Sequence, residues 1–590
     1  MSEPPVGTLS RDETWKDAQG RRRTRLYGLV IFVAGLLTQL PALLSRYLLD
    51  DFLHASMVRG TFPVHRAPYD LYDFVGDADR TALFAHGMLP WWTDPALKIR
   101  FFRPLSSLIL WSERRVIGDV PILLHLLSFG WWCAAVLGAH ALFRRALEAR
   151  PALVATAIFA LSPCHTLPLA WLANREALMS LTFAVFALGA LARFLEQGKA
   201  REVVLATVLF ALACASGEYA LGAGGYVVSM ALLFRGPPRG RRALALATFA
   251  VPAAIYLGIR ARLGYGTAAS GFYTDPLSDP VAYVAQAPHR IVLLLLDGWL
   301  SLDGETLTGE TPIWFVTAIF GVGTALVVRS LRRVLRESPD ARKGATLAYF
   351  VGSILCLGPV LAVVPSPRVL GFAILGVAPV VALLLERAWF SREAEGREPH
   401  DPLGGLVALG LAFSAFVHAP VTAFLVGRHF GKSSVAFEKA ALELGTRMGD
   451  TASADVLVMR GVGGSFFLPF ALRDDYRPPK RWRVLAETGH VLALRRGPRT
   501  LDLVATSDQG IYPSEPGNLF RTDRYVLPVG SVVTLPGLRV TVLEMGKAGP
   551  RSARFEIDGD LESFDWVAER KSGFVEAPPP AVGFGKPFEP

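Results

Sequence analysis

Two adjacent carboxylates, Asp50 and Asp51, stand where the first long apolar stretch of this sequence ends, and His54 follows four residues after Asp50. A charge at the edge of hydrocarbon loses hydration and is costly to keep, so an acidic pair there marks a place with a use for it. If the helix continues through the pair, Asp50 and His54 share one face, and a carboxylate so placed suits a general base or a cation ligand. Further polar clusters interrupt apolar sequence downstream. They are Pro163-Cys164-His165-Thr166 followed by Asn174-Arg175-Glu176, then Ser216-Gly217-Glu218-Tyr219, then Pro365-Ser366-Pro367-Arg368. An arginine such as Arg175 or Arg368 suits a phosphate ester at a membrane surface, because its planar fork binds oxygens in pairs. Each cluster alone reads equally as a helix cap or boundary, and Asp70, Asp73, Asp77 and Asp79 read as acids that solvate a loop. Clusters of ionisable residues on one face, beside one long loop, point to a shared site.

The elements that must position these groups are apolar spans. Hydrophobic residues make up 52% of the chain and charged residues 19%, and the mean hydropathy is +0.36; a soluble chain of this length carries far more charge. Apolar runs predict about eleven transmembrane helices, roughly at 26–49, 120–143, 151–172, 177–195, 202–217, 219–234, 243–260, 312–328, 345–364, 369–387 and 403–427. The formal charge of +10 does not indicate nucleic acid, because the basic residues gather in short loops between spans. Arg21-Arg22-Arg23-Thr24-Arg25 precedes the first span, and every second loop afterwards is basic: Arg144 to Arg150, Arg193 to Arg201, Arg235 to Arg242, Arg329 to Lys343 and Arg387 to Arg397. Positive loops stay cytoplasmic. Residues 1–25 then form a cytoplasmic basic tail, and the acidic pair, the loop 50–119, the turns at Glu218 and Arg368, and everything after 428 lie outside. No cleavable signal peptide is expected, since the first 25 residues are polar and the first apolar run is long enough to remain a span. Cys133, Cys164, Cys214 and Cys356 lie in or beside apolar segments without metal-ligand spacing and read as small hydrophobes.

The carboxy-terminal part changes period. Short β-like runs at Val456–Met459, His490–Leu494, Leu501–Ala505, Val532–Leu535, Leu538–Leu543 and Ala553–Ile557 alternate with turn residues. The expected fold is therefore an all-α polytopic membrane domain (26–428) followed by a smaller, mostly β soluble domain (429–576), entered through a helix from Ser434 to Met448. A Pro/Gly-rich segment (577–590) is expected to be a loose tail.

In order and spacing the sequence resembles the GT-C superfamily of polytopic glycosyltransferases, in particular its protein O-mannosyltransferase-like and transmembrane O-mannosyltransferase-like branches. The resemblance covers about residues 26–390. It rests on Leu49-Asp50-Asp51, Phe102-Arg103-Pro104-Leu105 leading to Gly118 and His125-Leu126-Leu127, Ser162 to Thr166 with Trp171 and Arg175, Ala215 to Tyr219, and Pro365 to Arg368. It implies a transferase that takes a sugar from a polyprenyl-phosphate carrier and passes it, with inversion, to a protein, lipid or polysaccharide acceptor in the cell envelope. It implies Asp50 or Asp51 as the base, Arg103, Arg175 and Arg368 as holders of the leaving phosphate, and Glu218 as the group that orients the acceptor or a basic partner. His54, His165 and Glu176 complete the substrate-binding set, which leaves room for a divalent cation and names no metal ligand. The sequence departs from the family in three ways: Gly217 replaces a lysine before Glu218, Thr166-Leu167 replaces an acid after His165, and the tetratricopeptide repeats are missing. Alanine, arginine and glycine content suggests a bacterial cytoplasmic membrane. The alternatives are a transporter or flippase of a lipid-linked or anionic substrate, and an inactive GT-C-like binding protein.

Overall fold

The computed structural model describes residues 11–302, 313–338, 340–389, 401–506, 510–514, 517–547, 549–570 and 573–589. The amino-terminal end of the basic tail (residues 1–10) and most of the last basic loop lie outside the described residues.

Among the described residues eight helices are long and apolar enough to cross a membrane, or nine if the bent pair Ala149–Leu161 and Pro163–Ala170 forms one span. The chain is a polytopic helical membrane protein carrying a β-sheet domain. The span count differs from the sequence reading mainly around Glu218. There the two expected spans become Ala200–Ser216, 17 residues, and Ala223–Leu233, 11 residues. At 1.5 Å per residue neither crosses a hydrocarbon core of about 30 Å upright. Gly217 ends the first of them, and a 3₁₀ turn, Glu218–Gly222, leads into the second.

The first helix, Arg11–Leu43, ends six residues earlier than the apolar run does, and Pro41 explains why. A proline without an N–H opens the helical ladder, and the chain leaves through tightened turns from Pro41 and Ala42 to Leu44 and Ser45. A separate helix, Asp50–Arg59, starts at the acidic pair. The loop from 50 to 119 continues with Arg80–His86, the helix Pro104–Ile117, and the strands Asp73–Val75 and Lys98–Arg100. These strands and Gly266–Ala268 form a three-stranded sheet, so two distant loops are tied together.

The last span does not stop at 428. Pro402–Phe413, a π turn at Ser414–His418 and Ala419–Met448 run on as one stalk into the carboxy-terminal domain, so the expected helix at 434–448 is its end. That domain holds a six-stranded antiparallel sheet in the order Gly585–Phe588, Val491–Arg495, Thr500–Ala505, Gly549–Ile557, Leu538–Gly546, Val532–Leu535. A four-stranded mixed sheet runs Gly573–Glu576, Asp565–Arg570, Asp455–Arg460, Arg481–Val484. The final segment is not a loose tail: Gly585–Phe588 pairs with Val491–Leu494, and Phe588 is buried.

Two cores result. One fills the bundle around Trp132, Phe143, Leu188, Phe210, Tyr226 and Leu375. The other joins the loop 50–119 to the carboxy-terminal domain, with Trp91 and Trp92 packed among Phe466, Trp482, Tyr512 and Phe555. The indole N–H of Trp91 donates to the Leu485 carbonyl at 2.9 Å, which satisfies its polar edge inside this core.

Candidate active site

Asp50 is placed by an unusual backbone. Leu49, immediately before it, has φ 42° and ψ −108°, a conformation that costs a side-chain-bearing residue about 1–3 kcal/mol. This turn projects Asp50 into a cavity of about 370 Å³ that also receives Arg103, Trp171, Asn174, Glu176, Glu218, Tyr219, Arg260, Tyr273, Asp275 and Arg368. Burial, helped by the neighbouring Asp51 charge, pushes Asp50 up to about 7, although Arg368 and Arg103 pull the other way. Among the described residues its carboxyl has no hydrogen-bond or ion-pair partner.

Asp51 points the other way. It is fully buried; Oδ2 accepts from the backbone N–H of Leu48 at 3.0 Å and of Leu172 at 3.4 Å, and Oδ1 from that of Ala173 at 2.7 Å. Burial moves it up to about 6 against these bonds and Arg114. Asp51 therefore clamps the 3₁₀ turn Leu172–Asn174 to the start of the Asp50 helix. That turn carries Trp171, Asn174 and Glu176 into the cavity.

Arg103 precedes the helix Pro104–Ile117 and crosses the cavity wall between two acids. Nη1 donates to Glu176 Oε1 at 3.0 Å, Nε donates to Glu218 Oε2 at 3.1 Å, and its plane lies over Tyr72 and Phe101 at 4.8 and 4.5 Å. Burial opposes its charge, but Glu218 and Glu176 outweigh burial and raise its pKa well above the ordinary arginine value. Burial alone would raise Glu218, and Arg103 holds it lower. With both carboxylates bound to Arg103, this pair does not fit a divalent cation. Nor does any group of three His, Cys, Asp or Glu among the described residues. Arg103 in turn is no free phosphate holder.

Arg368 reaches the cavity from the 3₁₀ turn Pro367–Val369, lies 5.2 Å from the centre of the Trp171 ring, and has no ion-pair partner among the described residues. Arg260, at the end of the helix Arg239–Arg262, pairs with buried Asp275 and closes the wall. Among the described residues three fully buried polar atoms of the cavity's lining residues also lack hydrogen-bond partners: Glu176 Oε2, Asn174 Oδ1 and the Trp171 indole nitrogen.

The structure thus gathers Asp50, Arg103, Glu176, Glu218 and Arg368, and leaves four expected residues out. His54 is buried between Tyr72 and Phe74, and burial together with Arg114 and Arg103 pushes it down to about 3, so it stays neutral. Arg175 turns away: it donates to the Leu124 carbonyl at 3.1 Å and pairs with Glu113. His165 bonds the Phe159 carbonyl at 3.0 Å and packs behind Arg368. Asp51 is the fourth. The sequence reading missed Arg260 and Asp275, although a signal existed: Arg260 and Arg262 stand at the end of a span opposite the basic loops, against the charge bias.

No protein-family model matches the sequence. No curated protein matches it. Among solved structures the chain is similar to the archaeal oligosaccharyltransferase AglB from Archaeoglobus fulgidus in complex with an inhibitory peptide and a dolichol-phosphate, at 13% identity and a TM-score of 0.42, over 78% of this chain and 64% of that one. It is also similar to ArnT from Cupriavidus metallidurans bound to undecaprenyl phosphate, at 16% identity and a TM-score of 0.38, over 76% of this chain and 84% of that one. The chain spans about two thirds of the length of AglB, and likenesses at this level carry no argument about its activity.

Proposed function

We propose that the chain is a GT-C-type membrane glycosyltransferase that moves a sugar from a polyprenyl-phosphate donor to an acceptor hydroxyl, with inversion and with Asp50 as the base. One observation carries this reading: among the described residues, a carboxyl raised toward neutrality and without a hydrogen-bond partner shares one cavity with a guanidinium, Arg368, that has no ion pair. In the reaction Asp50 takes the proton of the acceptor hydroxyl as its oxygen bonds to the anomeric carbon. The bond from that carbon to the phosphate oxygen breaks, and the phosphate leaves with the electron pair. Arg368 stabilises the charge that collects there.

The rest of the cavity suits such a donor. A sugar hydroxyl both donates and accepts, which matches a lining that carries the carboxyl of Glu218, the amide of Asn174 and the phenols of Tyr219 and Tyr273. Leu257, on a helix with much of its surface uncovered by protein, opens an apolar side toward the bilayer for the polyprenyl chain. Asp51 and Arg103 act as positioning residues. We place the cavity on the extracytoplasmic face of a bacterial cytoplasmic membrane. The test uses the purified chain in lipid nanodiscs with a panel of radiolabelled polyprenyl-phosphate sugars and reads released polyprenyl phosphate. Asp50→Asn should lower release about 10²- to 10⁴-fold; unchanged release in this variant overturns the assignment.

A further inference from the structure

Asp50 borders a second chamber. Its walls include Leu53, Val75, Leu89, Ile99, Phe466 and Phe520, its volume is about 100 Å³, and it shares Asp50, Phe74, Phe101 and Tyr273 with the larger cavity. Apart from Asp50 its lining carries no charged residue. Arg368, Arg103, Glu176 and Glu218 all belong to the other side. None of its lining residues comes from a helix long enough to cross a membrane; they come from the loop 50–119, from Tyr273 and from the carboxy-terminal domain.

The chamber is built from segments far apart in the chain. Asp94 N–H donates to the Phe520 carbonyl at 2.9 Å, Gly271 N–H to the Asn518 carbonyl at 3.0 Å, and Ser270 Oγ to the Leu519 carbonyl at 2.7 Å. Arg521 Nε donates to the Trp92 carbonyl at 2.5 Å, and Phe466 and Phe520 pack with ring centres 4.7 Å apart. These bonds hold carboxy-terminal residues against the loop that starts at the base.

On the transferase reading above, we infer that this chamber is the acceptor subsite and that the acceptor carries a compact apolar group, about the size of a phenyl ring, beside its reacting hydroxyl. The leaving phosphate lies with Arg368, and an inverting attack comes from the opposite side of the sugar. The base must therefore meet the acceptor away from Arg368, and the chamber is the space that Asp50 borders there. Several waters or one ring fill such a volume, and a lining of Leu, Ile, Val and Phe favours the ring. With no spanning helix in its walls, the chamber is supplied from the aqueous side, so the acceptor arrives in water while the donor arrives in the bilayer.

The test measures binding without a donor, so it succeeds or fails independently of transfer. Saturation-transfer NMR on the purified full chain in nanodiscs compares 3-phenoxypropane-1,2-diol with glycerol. The phenoxy compound should bind at least about tenfold more tightly, and Leu89→Trp, which fills the chamber, should erase the difference. Val75→Ala, which enlarges it without adding bulk, should shift preference toward a naphthyloxy analogue. Equal binding of the two alcohols overturns the subsite, as does an unchanged preference in both variants. Displacement of the phenoxy probe by a bilayer-held diacylglycerol overturns aqueous delivery. If donor cleavage still depends on Asp50 in any of these cases, the acceptor inference alone falls.

Discussion

A carboxyl that titrates near neutrality is half-ready as a base in the pH range where cells work, and Asp50 owes this to burial and to its neighbour Asp51. Rate should therefore rise with pH through about 7 and level off above it, measured as kcat/KM for the donor from pH 5.5 to 8.5. A flat profile would show that no group of this kind limits the reaction. The same shift has a cost in stability. The folded chain holds the Asp50 proton more tightly than the unfolded chain, whose carboxyl titrates near 4, so stability falls as pH rises from about 4 to about 7 and stays lowered above that. Asp50→Asn should accordingly melt higher than the parent at pH 8, with the gap closing toward pH 5, while transfer is lost at both. On the proposed reading Arg368 sits on the other side of the chemistry. Losing a charged hydrogen-bond donor to phosphate costs about 1.5–3 kcal/mol, so Arg368→Ala should raise the donor KM roughly 10- to 150-fold and leave the acceptor KM nearly unchanged. An equal rise for both substrates would remove Arg368 from the phosphate.

At the scale of elements, what distinguishes Asp50 from Asp51 is where a helix begins. Had the first span run on to Leu49 and beyond, Asp50 and His54 would have shared a face. Instead Pro41 ends it, Leu49 turns the chain at φ 42°, and the new helix aims one acid at the cavity and the other at the backbone of Leu172 and Ala173. Asp51→Ala leaves three backbone N–H groups without their acceptor, and each buried donor so abandoned costs about 1–3 kcal/mol. It should lower both thermal stability and transfer, in contrast to Asp50→Asn, which should lower transfer alone. Activity loss without destabilisation would mean that Asp51 touches substrate. This difference also marks the limit of what the sequence revealed. Residue types and order put Asp50, Glu176, Glu218 and Arg368 on one face together with Asp51, His165 and Arg175, and the family resemblance added Arg103; the cavity receives Asp50, Arg103, Glu176, Glu218 and Arg368. The direction of Arg175 depends on Glu113 and the Leu124 carbonyl, partners more than fifty residues away that no local pattern encodes. The strands around Val456, Leu503 and Phe555 were legible as short apolar runs between turn residues. Arg481–Val484, Asp565–Arg570 and Gly585–Phe588 were not, because charged and proline residues hide the period and long-range pairing decides them.

For the whole molecule, two facts fix which ends of the bundle belong together. The basic loops are cross-linked to one another: Arg145 pairs with Glu196, Arg342 with Glu148, and Arg235 with Asp340 at 2.6 Å. The helix Pro121–Ala146, 26 residues and about 39 Å long, separates this basic end from the loop 50–119. That loop in turn shares a core with the carboxy-terminal domain, in which Trp91 is fully buried. Trp91→Ala should cost about 3–5 kcal/mol and loosen this docking, so that protease cuts first near residue 449. On the proposed orientation the charge bias adds the direction, with the basic loops in the cytoplasm. Reporters fused after Asp77 and after Gly449 must then agree with each other, because their surroundings are packed together, and a reporter after Gly236 must read the opposite, cytoplasmic side. Agreement between the first two with the sides exchanged would leave the architecture intact and turn the base toward the cytoplasm. Disagreement between them would break the shared core, and the acceptor chamber with it.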